Sequence, residues 1–594
     1  MNSKTKRSNP VINLLKTEWK YLGNRRKIFL VYMTLFVIAG LIALTTPLIV
    51  GLIFNSIQES ISSPAELRHL IFLISLLLVV EIGFWIFHGT ARVMEGRSGF
   101  FVKRNYTNSK IKRVLSLPVS WHKDHHSGDT IDKINRGTAA IEGFSQFSTF
   151  NIVYGVVNIL GSLIILLFVD VFAAAIALSF SIIVVFAITK FDKKLDKYYQ
   201  EINKYGNKIS AAIYDYISNV ITVISLRLKR TVRKEIDSRI MASYPTFKKQ
   251  ATLIEIKWGF ASIAIALMTV IVLSLRAYTD YTTTGIILIG TLYILYGYLA
   301  RVGDTFYNFA EIYGRIVAYD SSIVSAYPID EEFKKMARKE PGTLPRGWDK
   351  IALKNLSFSY DRAGKKTNLS DINLDIKKGT KIALIGESGS GKSTVLTLIR
   401  GLHPPDSGSV IVNNKPQENG FDKLGEEVTL IPQDPEIFNN SIKYNVTMDL
   451  SHTKEEIDKA VQMAQFFPVM KRLENGLDTN VLEKGVSLSG GEKQRLALAR
   501  GILAAKNSSI ILMDEPTSSV DSVNEMKIYD NIFREFNDKV VVSSIHRLNL
   551  LKKFDYIYMF EKGKIIAQGT FPEIKKTPKF RKIWDKFIHE KEIK

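Results

Sequence analysis

Long apolar runs dominate the first half of the chain, and polar segments rich in basic residues separate them. A helix of about 20 apolar residues crosses a hydrocarbon core about 30 Å thick, and these runs approach or exceed that length. We predict six membrane spans, at residues 28–54, 70–90, 150–169, 171–189, 260–275 and 285–299. The first follows a basic segment, as a signal peptide would, but it is longer than the roughly 7 to 15 apolar residues of a signal sequence.

The links between the apolar runs differ in length and charge. The first, third and fifth are short and carry few basic residues, chiefly Arg68 and Arg276. The second and fourth, about residues 91–149 and 190–259, are long and rich in Lys and Arg, which predicts that they are cytoplasmic, together with both termini. Their apolar residues recur at helical spacing, so we expect the membrane helices to continue into the cytoplasm and fold back.

The pattern changes after residue 326. Residues 327–350 are polar and contain several Pro and Gly residues, which predicts a linker. Short β-branched runs then alternate with helical stretches, as is typical of an α/β domain. We therefore expect a multidomain membrane protein with a basic N-terminal segment (1–27), an all-α membrane domain of six spans (28–326), the linker and an α/β domain (351–594).

Composition narrows the possible partners. The chain has 594 residues, a net charge of +22 and no cysteine. The basic residues flank apolar runs, so we interpret the charge as membrane orientation and expect a lipid bilayer, not nucleic acid, as partner. The missing cysteines exclude disulfides and thiolate metal sites. Frequent Lys, Asn and Ile residues are typical of an AT-rich microbial genome, so the expected location is a prokaryotic plasma membrane with the α/β domain in the cytoplasm.

A glycine-rich segment after an apolar strand has the pattern G-x-x-x-x-G-K-[ST] of a phosphate-binding loop. Its candidate nucleotide-binding residues are Gly386, Ser388, Gly389, Ser390, Gly391, Lys392, Ser393 and Thr394. Glycines allow a tight turn whose N–H groups face phosphate, Lys392 adds a positive charge at the terminal phosphates, and Ser393 can ligate Mg²⁺.

Two adjacent acids follow the apolar segment 510–513, at the end of another predicted strand. Ligands of open α/β sheets bind at the carboxyl ends of strands. We expect Asp514 to hold Mg²⁺ and Glu515 to orient and deprotonate the water that attacks the γ-phosphate. Together with the phosphate loop, these acids predict an enzyme that hydrolyses a nucleoside triphosphate.

The octet LSGGEKQR at residues 488–495 resembles the signature motif of ATP-binding-cassette ATPases. Small residues at the start of a helix expose backbone N–H groups and can form a second anion site, here at Ser489, Gly490 and Gly491. The resemblance implies that this surface covers the γ-phosphate of ATP held by a partner's phosphate loop. A second half-transporter, identical or different, is therefore the expected partner.

Other landmarks resemble the same family in order along the chain. The resemblance implies that Tyr360 stacks on adenine, that Gln433 contacts Mg²⁺ and the attacking water, and that His546 contacts the γ-phosphate. It also implies that Asp521, in the segment 518–521, belongs to the loop that bridges two subunits. The segment 479–485 resembles a cross-linking segment of the exporter branch. Two residues depart from the commonest pattern of the family: Glu492, where Gln is most usual, and Leu482, where Gly is frequent.

A membrane domain fused ahead of one cassette resembles half-transporters of the type IV exporter kind. The resemblance implies an ATPase that exports an amphipathic molecule, a lipid or a peptide by alternating access as a dimer. It also places short coupling helices near residues 127–134 and 213–220. An ATP-gated channel, a regulatory membrane ATPase and an importer with exporter-like layout are the alternatives, whereas six spans disfavour a soluble cassette ATPase.

The sequence of the membrane half gives little information about the transported substrate. Only a short basic segment precedes the first span, so we do not expect a leader-peptide-cleaving exporter. Glu81 and His88 lie about two helical turns apart within or near the second span. Such residues can line a transport path, but we expect both to pack against polar groups within the bundle or near its cytoplasmic edge instead.

Overall fold

A computed structural model describes residues 9–59, 61–125, 127–336, 342–360, 368–481, 487–581 and 584. Contacts divide the chain into two compact units, whose main boundary falls between Ala337 and Arg338. The described part of the first unit is helical, with α1 Pro10–Leu22, α2 Arg26–Leu44, α3 Thr46–Gln58, α4 Pro64–Leu115, α5 Val119–Asp124, α6 Ser127–Gly143, α7 Thr149–Val169, α8 Val171–Ser218, α9 Val220–Ser225, α10 Lys229–Met241, α11 Tyr244–Thr284, α12 Ile289–Ser325 and α13 Tyr327–Met336. A 3₁₀ turn, Gly23–Arg25, joins α1 to α2, and a π-helical segment, Phe144–Ser148, joins α6 to α7.

Five helical stretches of the described chain are long and apolar enough to cross a membrane. They are Pro10–Gln58, Pro64–Leu115, Ser127–Val169, Val171–Ser218 and Lys229–Thr284. The predicted sixth span is helical only from Ile289, because Gly285 ends α11 in a left-handed conformation. α12 also carries the charged residues Arg301 and Asp304. Of the six predicted spans, five therefore lie in stretches that are long and apolar enough to cross a membrane.

The membrane helices continue well beyond a bilayer, as we predicted. α4 has 52 residues and α8 has 48, and at 1.5 Å per residue each is longer than about 70 Å. The short helices that follow them are α5 and α9. The windows predicted for coupling helices do not coincide with these short helices, since 127–134 lies in α6 and 213–220 runs from the end of α8 to the first residue of α9. Pro118, which stands between α4 and α5, was the overlooked signal of the first helix end.

The first predicted span is two helices, because α2 ends at Leu44 and α3 begins at Thr46. Pro47 has no N–H group to donate to the carbonyl of Ala43, four residues earlier. The next carbonyl, that of Leu44, accepts from the hydroxyl of the buried Tyr298 on α12 at 2.6 Å. A side chain of another helix therefore binds the backbone at the break.

The backbones of α3 and α12 lie in close contact. A Cβ atom at Gly290 would collide with the carbonyl oxygen of Gly51. The Gln58 amide spans the same two elements, donating to Ile287 O at 2.8 Å and accepting from Ile289 N at 2.9 Å. These contacts join the end of α3 to the start of α12.

Glu81 and His88 lie on α4. The Glu81 carboxylate accepts from Trp85 Nε1 at 2.9 Å. The His88 ring stacks on Phe84 with centroids 4.8 Å apart and meets Phe150 edge to face at 4.7 Å. His88 therefore packs among aromatic rings and not among the polar groups that we expected.

The second unit contains two sheets. Its strands are β1 Lys350–Phe358, β2 Leu369–Lys377, β3 Lys381–Ile385, β4 Ser407–Val412, β5 Lys415–Pro416, β6 Val428–Ile431, β7 Ile510–Asp514, β8 Val540–Ser544, β9 Tyr556–Glu561 and β10 Lys564–Gly569. β2-β1-β4-β5 form an antiparallel sheet. The other sheet has the order β10-β9-β3-β8-β7-β6 and is parallel from β9 to β6.

The helices of the second unit are α14 Lys392–Ile399, α15 Gly420–Glu426, α16 Ile442–Thr447, α17 Lys454–Met463, α18 Phe467–Arg472, α19 Gly490–Ala504, α20 Ser522–Glu535 and α21 Phe571–Lys576. Short 3₁₀ turns occupy Gly476–Asp478, Ala505–Asn507 and Leu548–Lys553. One apolar core lies between the two sheets and includes Leu353, Leu384 and Leu512. Burial explains why β3, β7 and β8 each contain an apolar run in the sequence, at residues 382–385, 510–513 and 540–542.

Part of the predicted linker, 327–350, has regular structure. Its first ten residues form α13, where Asp330 accepts from Lys110 Nζ of α4 at 2.9 Å. Arg113 of the same helix contacts Asp330 at 2.6 Å. Near the other end, Leu344 and Trp348 are buried in the core of the second unit.

Candidate active site

The candidate site lies at the carboxyl ends of four neighbouring parallel strands, β3, β8, β7 and β6. The chain leaves these strands toward the phosphate loop, His546, Glu515 and Gln433 respectively. A cavity of about 510 Å³ is lined by Asn368, by residues 388–394 and by Gln433, Glu515 and His546. Residues far apart in sequence therefore meet where open α/β sheets bind ligands.

The phosphate loop turns tightly between β3 and the start of α14. Gly386, Gly389 and Gly391 have φ of 145°, 77° and 110°, a region that favours glycine. A Cβ at Gly391 would also lie 2.6 Å from Leu369 Cδ2. Lys392 Nζ donates to the carbonyls of Gly386 at 2.8 Å and Glu387 at 3.1 Å, and burial lowers the Lys392 pKa. The loop thus places its lysine, serines and N–H groups around one space.

Asp514 lies beside the phosphate loop, at the end of β7. Its Oδ1 accepts from Ser393 Oγ at 3.0 Å and from Ser544 Oγ at 2.7 Å. A hydroxyl and a carboxylate are the hard oxygen ligands that Mg²⁺ prefers, and Mg²⁺ commonly takes only one or two protein carboxylates beside phosphates and water. The donor atoms of Ser393 and Asp514 therefore fit Mg²⁺.

Glu515 occupies the centre of the candidate site. Its two carboxylate oxygens contact two predicted partners, Oε1 with His546 Nε2 and Oε2 with Gln433 Nε2, the latter at 3.0 Å. Its backbone is left-handed, with φ of 46°, and its N–H donates to Ser544 Oγ at 2.9 Å. Such strain in a non-glycine residue is concentrated at functional sites, where surrounding contacts maintain it.

The remaining predicted residues do not line this cavity. Tyr360 is 46 % exposed and lies edge to face with Phe358 and His403, at centroid distances of 4.8 and 5.4 Å. Asp521 caps α20, since its Oδ1 accepts from Asn524 N at 3.0 Å. Ser489 is the N-cap of α19, and Gly490 and Gly491 are its first two residues. Of the cross-linking segment, Leu482, Glu483, Lys484 and Gly485 lie outside the described residues.

The departure at Glu492 has a structural role. Ser489 N donates to Glu492 Oε2 at 2.9 Å and Glu492 N donates to Ser489 Oγ at 3.4 Å, a reciprocal pair that caps α19. The other carboxylate oxygen accepts from Arg472 Nη2 at 2.6 Å. A glutamine could accept the Ser489 bond but would lose the charge that pairs with Arg472.

Sequence reasoning missed three residues of this region. Asn368 lines the cavity and accepts from Tyr360 N at 3.0 Å. Ser544 binds both Asp514 and the backbone of Glu515. Gln494 donates to the Glu515 carbonyl at 3.2 Å. The sequence signal for Gln494 was its place in the octet, but the motif does not tell which of its side chains point inward.

Family models match both halves of the chain. The model for the ABC transporter transmembrane region matches residues 29–300, and the ABC transporter model matches residues 369–518. The two matches follow one another in the order of a membrane region fused to an ATPase domain.

Relatives of known identity align with most of the chain. The mesentericin-Y105 transport/processing ATP-binding protein MesD of Leuconostoc mesenteroides is 27 % identical over 80 % of this chain. This chain covers 65 % of the length of MesD, slightly less than two thirds. The ATP-dependent lipid A-core flippase of Wigglesworthia glossinidia brevipalpis is 26 % identical, with 80 % of this chain and 81 % of the flippase aligned.

A solved structure has the same fold. It is that of a bacterial Atm1-family ABC exporter with ATP bound, with a TM-score of 0.81. The match covers 95 % of this chain and 99 % of the exporter at 20 % sequence identity. At that identity the likeness concerns the fold alone.

Proposed function

Because this chain belongs to the ABC transporters, as a half-transporter of the exporter type, we propose that it uses ATP hydrolysis to export a substance across a membrane. One observation carries the proposal. Lys392, Asp514, Glu515 and His546 come together at one sheet edge, and the described residues also include five helical stretches able to span a bilayer. A soluble ATPase needs no such helices.

The ATPase domain binds ATP through the phosphate loop. Its N–H groups and the Lys392 ammonium hold the phosphates, and Ser393 and Asp514 hold Mg²⁺, which neutralises phosphate charge when it is bound. Glu515 accepts the proton of the attacking water, while Gln433 and His546 fix the position of its carboxylate. Tyr360, which is about half exposed, stacks on the adenine ring through its exposed part.

The working form is a dimer, with the cassettes paired head to tail. The start of α19, with Ser489, Gly490 and Gly491, presents exposed backbone to a neighbour, and a Cβ at Gly490 would meet nothing within 4 Å. This surface covers the γ-phosphate of ATP in the partner, and Asp521 lies at the seam. All groups of the site are present in this chain, so two identical copies suffice, and a different partner is the alternative.

Hydrolysis drives alternating access. ATP holds the cassettes together, and loss of the γ-phosphate releases them, so the membrane helices alternate between inward-open and outward-open forms. Amphipathic molecules, lipids and peptides are the proposed cargo, in keeping with the lipid A-core flippase and the mesentericin transport protein among the relatives. The proposed location is a prokaryotic plasma membrane, with the cassette and both termini cytoplasmic.

The test is transport by purified protein in proteoliposomes whose cassettes face outward. The probes are a fluorescent phospholipid, an amphipathic dye and a short amphipathic peptide, each with ATP and Mg²⁺. Accumulation of one probe above its external concentration supports an exporter, whereas equilibration alone indicates an ATP-gated channel. Movement of the probe in the opposite direction indicates an importer.

The matched control is Glu515→Gln, which keeps the shape of the side chain and removes the base. We expect this variant to bind ATP and to lose hydrolysis by about a hundredfold or more. Hydrolysis at the normal rate would mean that Glu515 is not the base. Absence of ATP hydrolysis in the wild-type protein would contradict the proposed function itself.

A further inference from the structure

Gln494 connects α19, the helix that begins in the signature motif, to Glu515 and the loop after it. It lies on α19, one turn after the exposed start of that helix, and only 4 % of its surface is exposed. Its Nε2 donates to Glu515 O at 3.2 Å and to Ser518 Oγ at 2.9 Å. Its Oε1 accepts from Ser519 N at 2.8 Å. One buried amide therefore binds both the residue that carries the base and the loop after it.

A second contact joins the same two elements. A Cβ at Gly491 would lie 2.6 Å from the carbonyl oxygen of Ser519, so the start of α19 lies directly against this loop. Backbone packing at Gly491 and hydrogen bonding at Gln494 act on neighbouring atoms of Ser518 and Ser519. A displacement of the start of α19 is therefore passed to the loop that follows Glu515.

The backbone of Glu515 depends on contacts from outside its own strand. A left-handed conformation is unfavourable for a non-glycine residue such as Glu515 and persists only where neighbours hold it. Ser544 holds its N–H and Gln494 holds its carbonyl. These bonds set the direction of the Glu515 side chain, which contacts Gln433 and His546.

We propose that Gln494 is a positioning residue that couples the two nucleotide sites of the dimer. The proposal rests on the function proposed above, in which the start of α19 covers the partner's ATP while Glu515 acts on ATP bound to its own subunit. ATP in one site fixes α19, and Gln494 transmits that position to the base of the other site. Gln494 acts through Glu515 and touches neither nucleotide.

The test uses the purified full chain and three variants. Gln494→Met keeps the length of the side chain and removes all its hydrogen bonds. Gln494→Glu keeps an acceptor for Ser519 N and loses the donors to Glu515 O and Ser518. Gln462→Met makes the same exchange at an exposed position of α17 and is the control. Hydrolysis rate against ATP concentration, ATP binding and the thermal midpoint are measured for each.

We expect Gln494→Met to lower kcat about tenfold or more with KM for ATP within about twofold, because small misplacement of a catalytic group has effects of this size. Gln494→Glu should lose a comparable part of kcat, and the Hill coefficient of both should move toward about 1 from a higher wild-type value. Gln462→Met should behave as wild type.

Two results would overturn the proposal. One is a Gln494→Met enzyme with wild-type kcat and Hill coefficient. The other is a parallel loss of kcat, ATP binding and thermal midpoint, which indicates a structural role only. The wild-type protein separates the two proposals, since absence of ATP hydrolysis there contradicts the proposed function, whereas normal kcat and Hill coefficient in Gln494→Met, beside a Glu515→Gln variant that has lost hydrolysis, count against Gln494 alone.

Discussion

Arg301 of α12 donates from Nη2 to the carbonyl oxygen of Ala43 at 2.7 Å. That oxygen lies four residues before Pro47, the one position that cannot donate a helical hydrogen bond to it. A guanidinium from another helix therefore replaces the missing N–H. With Tyr298, which binds Leu44 O, α12 satisfies two carbonyls at the break of the first span.

Replacing this guanidinium should destabilise the membrane domain. We expect Arg301→Leu to lower the free energy of unfolding by about 1–2 kcal/mol, since a carbonyl without a donor in an apolar environment is costly. The thermal midpoint of the solubilised protein measures the effect. Arg315→Leu is the control, because the Arg315 side chain is 63 % exposed and pairs with Glu311 of the same helix. Equal shifts in both variants would contradict the role given to Arg301.

Asp514→Asn should separate Mg²⁺ binding from nucleotide binding. Asparagine can still accept from Ser393 and Ser544, but the negative charge that attracts the cation is lost. Hydrolysis should fall about a hundredfold, and half-maximal activity should require more Mg²⁺. Titration of activity with Mg²⁺ and of ATP binding in EDTA checks this. Asp538→Asn, at an exposed position, should change neither.

Glu492 should stabilise the cassette through the cap of α19. Glu492→Ala removes the acceptor for Ser489 N and the ion pair with Arg472. The free energy of unfolding should therefore fall by about 0.5–2 kcal/mol. Glu492→Gln retains the cap and should lose clearly less. Calorimetry of the full chain compares them with Glu418→Ala at an exposed site. If the glutamine and alanine variants are equally weakened, the ion pair and not the cap is responsible.

Glu456 gives the cassette a pH-dependent stability. The Lys506 ammonium and the N–H of Thr453 lower the Glu456 pKa from 4.5 to about 2. Because the folded form has the lower pKa, this stabilisation is complete above pH 4.5 and disappears as pH falls toward 2. Glu456→Gln should therefore have a lower thermal midpoint at pH 7, and the gap to wild type should narrow below pH 4.5. A constant gap between pH 7 and pH 3.5 would contradict this account.

Much of the site could be predicted because its chemistry restricts local sequence. Lys392 and Ser393 must follow a glycine turn, and Asp514 and Glu515 must end a strand, so each motif is readable in a few consecutive residues. Gln494 and Ser544 act through contacts between segments far apart in sequence, and one chain gives no signal for such distances. Their roles became visible only when β7, β8 and α19 were placed side by side.

The membrane half was predictable in outline. Apolar length and basic links gave the extended helices, but Pro47 within an apolar run did not predict a break, since membrane helices often tolerate proline. α12 had the weakest apolar pattern because it carries Arg301 and because residues 286–288 precede its first turn. The break near Pro47 and the start of α12 both involve contacts between helices, which the local sequence pattern does not reveal.

The contact of Gly51 with Gly290 leaves no room for even a methyl group between α3 and α12. Two rods touching at their backbones, and tied again by Gln58, must travel as one body in any transport cycle. At Thr45 α2 and α3 share no continuous hydrogen-bond ladder, and there α12 also holds the α2 side of the break through Arg301 and Tyr298. One helix is thereby fastened to both halves of the first span, so a shift of α12 acts on α2 and α3 together.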